Sequence, residues 1–257
     1  MAQKKALLLD ISICIGCNAC QDGCKAENKL PDGAEKLLSP TAFTALNEYD
    51  GKFVRRLCQH CEVPTCVSVC PVGAFTKTPE GPVTYDAEKC IGCRYCMQAC
   101  PFRVPRYEWK STRPRVRKCN FCASRLSRGL PTACAEACPT GATKFGNRDD
   151  LLVEAARRIS AKPGQYVPKI YGQDTVGGTS VLYLSPVPFE QLGFDTHLAQ
   201  SPMPLLTARA MDKVPNVVAV GGVLLAGIWW ITNRREEVQR NEGPSAQGRT
   251  SKDRDHR

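Results

Sequence analysis

Sixteen cysteines fall into four groups of four, with none left over. The group that defines the chemistry is Cys90-Ile91-Gly92-Cys93-Arg94-Tyr95-Cys96-Met97-Gln98-Ala99-Cys100-Pro101. Three cysteines two residues apart, then a fourth after three residues and before a proline, form the bacterial iron-sulfur run: three thiolates hold one 4Fe-4S cluster and the fourth reaches across to another. Cys14, Cys17, Cys20 and Cys24 repeat that spacing, with the same Cys-Ile-Gly-Cys opening and an Asp four residues ahead in both copies, Asp10 and Asp86. Cys58, Cys61, Cys66 and Cys70 widen the middle gap to four residues, and Cys119, Cys122, Cys134 and Cys138 widen it to eleven. Pro71 and Pro139 close these two groups. Which half-site pairs with which is not fixed by spacing.

Other chemistries for an even cysteine count fare worse. A disulfide framework scatters its cysteines, whereas repeated two-residue spacings turn three sulfurs toward one centre. Structural zinc takes sets of four cysteines, usually as two Cys-x-x-Cys knuckles, and has no use for a fourth cysteine followed by proline. His60, inside the second group, could tune or replace a ligand; with all four cysteines present beside it, a surface or supporting role is expected. His197 and His256 stand alone in polar surroundings and receive no role. Tyr107 and Trp109 read as packing residues. No nucleophile-base pair, phosphate loop or dinucleotide fingerprint is visible. No catalytic residue is assigned, and the chemistry left to the chain is conduction of single electrons.

The elements that position these cysteines are short. Leu7 to Leu9 reads as a strand delivering Cys14. Lys25 to Arg56 carries no cysteine and reads as an insertion, either a docking surface or a plain loop, with strand-like Phe43 to Leu46 and Lys52 to Leu57. Gly73 to Lys77 and Pro82 to Tyr85 form a hairpin about Thr78 to Gly81. Gly141 to Phe145 repeats the first of these strands. The repeating unit is thus cysteine run, proline and strand, and four such half-motifs make two ferredoxin-like domains. Asp149 to Ser160 has helical periodicity, with Leu151, Leu152, Ala155, Ala156 and Ile159 on one face, and Pro163-Gly164 stops it. Gln165 to Ala210, rich in Pro and Gly around strand-like Ser180 to Leu184, reads as an arm extended along a partner.

The formal charge of the 257-residue chain is +10, and Arg103 to Arg128 is basic with Glu108 its only acid. That pattern invites a nucleic-acid reading. Four oxidised clusters at about −2 each bring the sum near neutrality, which removes the argument. Val214 to Asn233 is uncharged over twenty residues, enough at about 1.5 Å per residue to cross a bilayer core of about 30 Å. Trp229 and Trp230 suit an interface, and Gly221, Gly222 and Gly227 suit close helix packing. A buried core helix is the alternative, but a short-loop body offers no place to hide one. Arg234, Arg235 and Arg240 follow, against Arg209 and Lys213 before, a slight bias that places the C-terminus in the cytoplasm and the cluster body on the periplasmic side. Residues 234–257 read as a polar tail. Met1 to Asp10 is too short an apolar run for a signal peptide and lacks a twin-arginine pair, so export together with a signal-bearing partner is expected.

The order of the four groups, the eleven-residue gap in the last, Val69 to Gly73, Gly92 to Cys100, Gly177-Gly178-Thr179 and a C-terminal membrane helix resemble the four-cluster electron-transfer subunits of membrane-bound respiratory oxidoreductases. The resemblance is nearest to formate dehydrogenase beta subunits and to the ferredoxin-like subunit of quinone-reducing nickel-iron hydrogenases. It implies an α+β fold of two interleaved bacterial-type ferredoxin-like domains plus one C-terminal transmembrane helix. Residues 1–24 and 115–146 would form the outer domain, 25–56 the insertion, 57–114 the inner domain, 147–213 the helix and docking arm, and 214–233 the membrane helix. By the same resemblance Cys14, Cys17, Cys20 and Cys138 hold one 4Fe-4S cluster, and Cys24, Cys119, Cys122 and Cys134 its neighbour. Cys58, Cys61, Cys66 and Cys100 hold a third, and Cys70, Cys90, Cys93 and Cys96 the fourth. Some relatives carry a Trp at the second position of group three; Cys93 here implies a four-iron centre. The implied partners are a catalytic molybdenum, tungsten or nickel-iron subunit at the first cluster and a membrane cytochrome b or quinone-binding subunit, with membrane lipid, at the fourth. A polysulfide or sulfoxide reductase could use the same relay in reverse.

Overall fold

The structure, a computed structural model, describes residues 3–241. Residues up to Leu205 form one unit and the chain from Leu206 forms another.

The first unit is built on a three-stranded sheet with the N-terminal strand at its centre. Strand β1 (Lys5–Asp10) is a run of apolar residues because both of its faces are covered. Alternation sends Leu7 and Leu9 into one core with Val54, Leu57, Tyr183 and Phe189. It sends Ala6 and Leu8 into another, against Leu151 and Ala155.

The expected insertion is part of this body. Helix α1 (Ala19–Asn28) continues from the first cysteine group, and β2 (Thr44–Tyr49) and β3 (Lys52–Leu57) form an antiparallel hairpin that packs against it. Ala45, Val54 and Leu57 are buried, so the hairpin is folded onto this body through one face. The next segment holds α2 (Thr65–Ser68), hairpin strands β4 (Phe75–Lys77) and β5 (Val83–Tyr85), and α3 (Tyr95–Ala99). It has its own small core of Phe75, Val83, Cys96 and Val116. Strands β6 (Arg106–Tyr107) and β7 (Val116–Arg117) pair beside it. Two short helices, α4 (Ala123–Leu126) and α5 (Ala133–Glu136), lead to β8 (Thr143–Asn147), which pairs antiparallel with β1. Helix α6 (Arg148–Ala161) follows and buries Leu151 and Ala155, with Leu152 and Ile159 partly covered; Ala156, expected on that face, is exposed.

The stretch after α6 departs most from expectation. Strand β9 (Val181–Leu184) pairs parallel with β1 and completes the order β8-β1-β9. All four of its residues are buried, and Tyr171, Phe189, Leu192 and Phe194 close the core over it. Residues 165–194 are therefore folded into the body rather than forming an extended arm. The Gly177-Gly178-Thr179 turn pins this segment to the second cysteine group: Glu62 N–H donates to the Gly178 carbonyl at 2.9 Å, and Thr179 bridges to Cys61. Gly177 has φ of +82°, and a Cβ there would stand 2.2 Å from the Pro202 ring. Gly177→Ala is expected to cost about 1–3 kcal/mol, read as a lower anaerobic melting temperature and weaker iron retention; an unchanged melt would mean that the turn relaxes freely.

In the second unit, α7 (Met203–Met211) is helical where an extended arm is expected, and α8 (Val214–Asn241) follows. Among the described residues one helical run, Met203–Arg240, is long and apolar enough to cross a membrane, and Val217, Leu224, Trp229 and Trp230 are exposed on it. Helix α8 outlasts the apolar stretch by eight residues because Arg234 pairs with Glu237 and Arg240 with Glu236 at helical spacing. The expected polar tail thus begins as helix; its remainder from 242, with His256, lies outside the described residues.

Candidate iron-sulfur centres

The first Cys-x-x-Cys loop of each of the four groups shares one backbone feature. The residue before the second cysteine is left-handed in each: Gly16 at φ +73°, His60 at +47°, Gly92 at +70° and Phe121 at +59°. Such a bend turns the amide of that residue back on the first sulfur of the loop. Gly92 N–H donates to Cys90 Sγ at 3.4 Å and Phe121 N–H to Cys119 Sγ at 3.3 Å. Two loops use glycine, the residue with no penalty there; a Cβ on Gly16 would also meet the Phe53 ring at 2.6 Å. His60 and Phe121 are held in the same conformation by burial, with their rings 4.8 Å apart edge to face. Asp10 and Asp86 do matching work ahead of the first and third groups. Each carboxylate accepts the amide two residues on, from Ser12 at 3.1 Å and from Glu88 at 2.9 Å. Asp10, buried, also accepts from Arg158 and from the Tyr166 hydroxyl.

The chain leaves a cavity whose wall carries Cys14, Cys17, Cys20 and Cys138 together with Leu9, Ile11, Phe53 and Arg55. The other thiols stand close enough to act on one another electrically. Burial pushes the Cys24 thiol up to about 12, and Cys134 and Cys122 add to the rise. Cys119 is raised well above its ordinary value by desolvation and then by Cys24, Cys58 and Cys134. Cys61 is raised likewise by burial and by Cys58, Cys100 and Cys66. Burial takes Cys66 to about 12 with Cys58 contributing, and takes Cys96 to about 12 with Cys90, Cys93 and Cys70 contributing. Cys138 goes the other way: burial raises it, but hydrogen bonds from the Thr143 amide at 3.4 Å and from Thr140 outweigh that and lower it. All sixteen cysteines are free thiols, and only Cys17 and Cys93 are exposed.

Iron-sulfur clusters fit these surroundings. Crowded, desolvated thiols that resist ionisation need a metal cation to hold them as thiolates. Arg55 Nε and His60 Nε2 have no partner among the described residues, as donors meant for inorganic sulfide would. Burial and then Lys118 and Lys77 press the His60 pKa well below its ordinary value. Val83 N–H donates to its Nδ1 at 2.9 Å, which leaves the proton on Nε2. His60 is thus buried, not on the surface. Further donors reach cysteine sulfur directly: Ala74 N–H to Cys70 at 3.2 Å, Arg55 Nη2 to Cys134 at 3.4 Å and Asn28 to Cys24 at 3.7 Å. Hydrogen bonds to sulfur are one of the controls on cluster potential.

Arg55 and Lys118 are contributors that motif reading passed over. Lys118, buried, donates to the Val83 and Cys119 carbonyls at 2.5 and 2.9 Å. Their sequence signal is faint: each is one basic residue in a basic stretch. Trp109, expected to pack, is exposed and meets Tyr107 edge-on at 4.9 Å, with the Arg94 guanidinium over both rings. His197 is exposed.

Comparison with known proteins agrees with this chemistry. Residues 49–148 match a family described as the 4Fe-4S dicluster domain. The Hydrogenase-2 operon protein HybA of Escherichia coli O157:H7 is 37% identical over 233 residues, 72% of this chain and 71% of that protein. The iron-sulfur subunit of nitrate-inducible formate dehydrogenase from Escherichia coli K12 is 37% identical over 199 residues, 70% of this chain and 67% of that protein. Protein NrfC of the same strain is 41% identical over 164 residues, 62% of this chain and 73% of that protein. With thiol loops built for 4Fe-4S clusters and relatives matched along most of its length, the chain belongs to the ferredoxin-like iron-sulfur electron-transfer subunits of respiratory oxidoreductases.

Proposed function

We propose that the chain relays electrons through four 4Fe-4S clusters between a catalytic subunit of hydrogenase or formate dehydrogenase type and a membrane cytochrome b or quinone-binding subunit. Each cluster supplies one-electron exchange when bound. Cys14, Cys17, Cys20 and Cys138 hold the first, and Cys24, Cys119, Cys122 and Cys134 the second. Cys58, Cys61, Cys66 and Cys100 hold the third, and Cys70, Cys90, Cys93 and Cys96 the fourth. The observation that carries this reading is the packing of the thiols: Arg55 lines the cavity of Cys14, Cys17, Cys20 and Cys138 and donates to Cys134, and Cys66 packs in one core with Cys70, Cys90 and Cys96. These contacts support adjacent sets, and Cys119, raised partly by Cys58, supports the join between the second and the third.

The two exposed thiols, Cys17 and Cys93, belong to the terminal sets. That supports entry and exit of electrons at opposite ends of the relay. Pairing of β1 with β8, and packing of α1 on α5 and of α2 on α3, support two interleaved ferredoxin-like domains. The apolar run of α8 supports a membrane anchor, with the body on the periplasmic side by the arginine bias after it. The test is an anaerobic pull-down of the chain from solubilised membranes with metal analysis of what accompanies it. About sixteen irons per chain with a molybdenum, tungsten or nickel subunit attached is the expected result; zinc in place of iron, or no redox partner, overturns it.

A further inference from the structure

Arg55 on β3 is 3% exposed, and among the described residues it forms no ion pair with a carboxylate. A buried guanidinium without a counter-charge is costly, so the groups around it must supply the compensation. They are sulfurs. Nη2 donates to Cys134 Sγ at 3.4 Å, the side chain lines the cavity walled by Cys14, Cys17, Cys20 and Cys138, and Nε is left without a partner. Nη1 donates to Thr143 Oγ1 at 3.0 Å, and the Tyr183 hydroxyl donates to the Arg55 carbonyl at 2.9 Å. These bonds fix the fork between the first and second thiol sets.

We propose that Arg55 is a fixed counter-cation shared by the first two clusters, raising the reduction potentials of that pair and holding two anionic centres side by side. The inference rests on the ligand sets proposed above. Reduction adds a negative charge to a cluster, and a cation held in a low-dielectric interior favours the more negative form. Ions in solution screen a buried charge far less than an exposed one. Among the described residues no cation donates a hydrogen bond to a cysteine sulfur of the third or fourth set; the buried Lys118 donates to the carbonyls of Val83 and Cys119.

The test compares the intact complex carrying Arg55 with Arg55→Gln, Arg55→Met and Arg55→Lys. It reads iron content and spectroscopically monitored redox titrations of each cluster. The neutral variants are expected either to keep their iron and shift two of the cluster equilibria about tenfold toward oxidation, about 59 mV for one electron, or to lose about half of the iron. Arg55→Lys is expected to restore whichever property is lost. Full iron with unchanged potentials in a neutral variant overturns the proposal. So does a lysine variant as damaged as the glutamine one, or a shift spread evenly over all clusters. A wild-type complex without about sixteen irons would instead overturn the relay reading on which the inference stands.

Discussion

Cys119→Ser is expected to cut the relay in the middle while leaving both ends able to take up electrons separately. Cys119, proposed as a ligand of the second set, is raised by Cys24 and Cys134 of that set and also by Cys58 of the third. Desolvation already holds it well above the ordinary thiol value. A serine hydroxyl, harder still to ionise, offers no competing thiolate there. Iron should fall from about sixteen to about twelve per chain. Transfer from the catalytic partner to quinone should fall by more than the roughly 10–100-fold typical of losing a group that merely supports a ligand. Retention of all the iron and of the wild-type rate would remove Cys119 from the ligand assignment. Cys93→Ser, at an exposed terminal set, should spare most of the iron and damage the quinone-side step alone.

Deleting Val214 to Asn233 is expected to release the chain from washed membranes almost completely and to end quinone reduction. The deletion removes the only run among the described residues able to cross a bilayer, and insertion of such a helix is effectively irreversible where single lipid anchors are not. The cluster-bearing unit ends at Leu205 and keeps its three-stranded sheet without that helix. Its iron and its reduction by the catalytic partner should therefore persist in the soluble fraction. Full quinone activity from that fraction would mean that α8 serves some purpose other than placing the relay beside quinone.

How much of this could be read in advance depended on how local each cause is. Cysteine spacing announces its chemistry because a cluster must gather three sulfurs from a few consecutive residues, and the glycines at 16 and 92 mark the left-handed bend that does it. The same bend at His60 and Phe121 is invisible in sequence, because there packing, not residue type, selects the conformation. Strand β1 and helix α6 declare themselves by apolar alternation and helical periodicity. The stretch from Tyr166 to Phe194 does not: its aromatic residues are spaced without period among prolines and glycines, and only the distant partners Leu7, Val54 and Leu57 give them a core. Arg55 is hidden for a related reason. It sits one residue from Arg56, which reaches outward to stack over Phe194 at 4.0 Å, and only the pleat of β3 separates a buried charge from a surface one.

The central position of β1 has a consequence for how the protein is made. Its neighbours β8 and β9 are synthesised long after it, and at about 5–20 residues per second the strand emerges on the order of ten seconds before Val181–Leu184 arrives to flank it. On the proposed ligand sets, Cys14, Cys17 and Cys20 wait through most of that interval for Cys138. The stretch from Cys58 to Cys100 finds more of its partners nearby, although Val116 completes its core and Thr179 bridges to Cys61, and contacts of short sequence separation form first. On the proposed ligand sets, maturation is expected to begin in the middle of the chain. An iron-sulfur assembly factor working on the growing polypeptide would meet the third and fourth sites while the first two are still half-written.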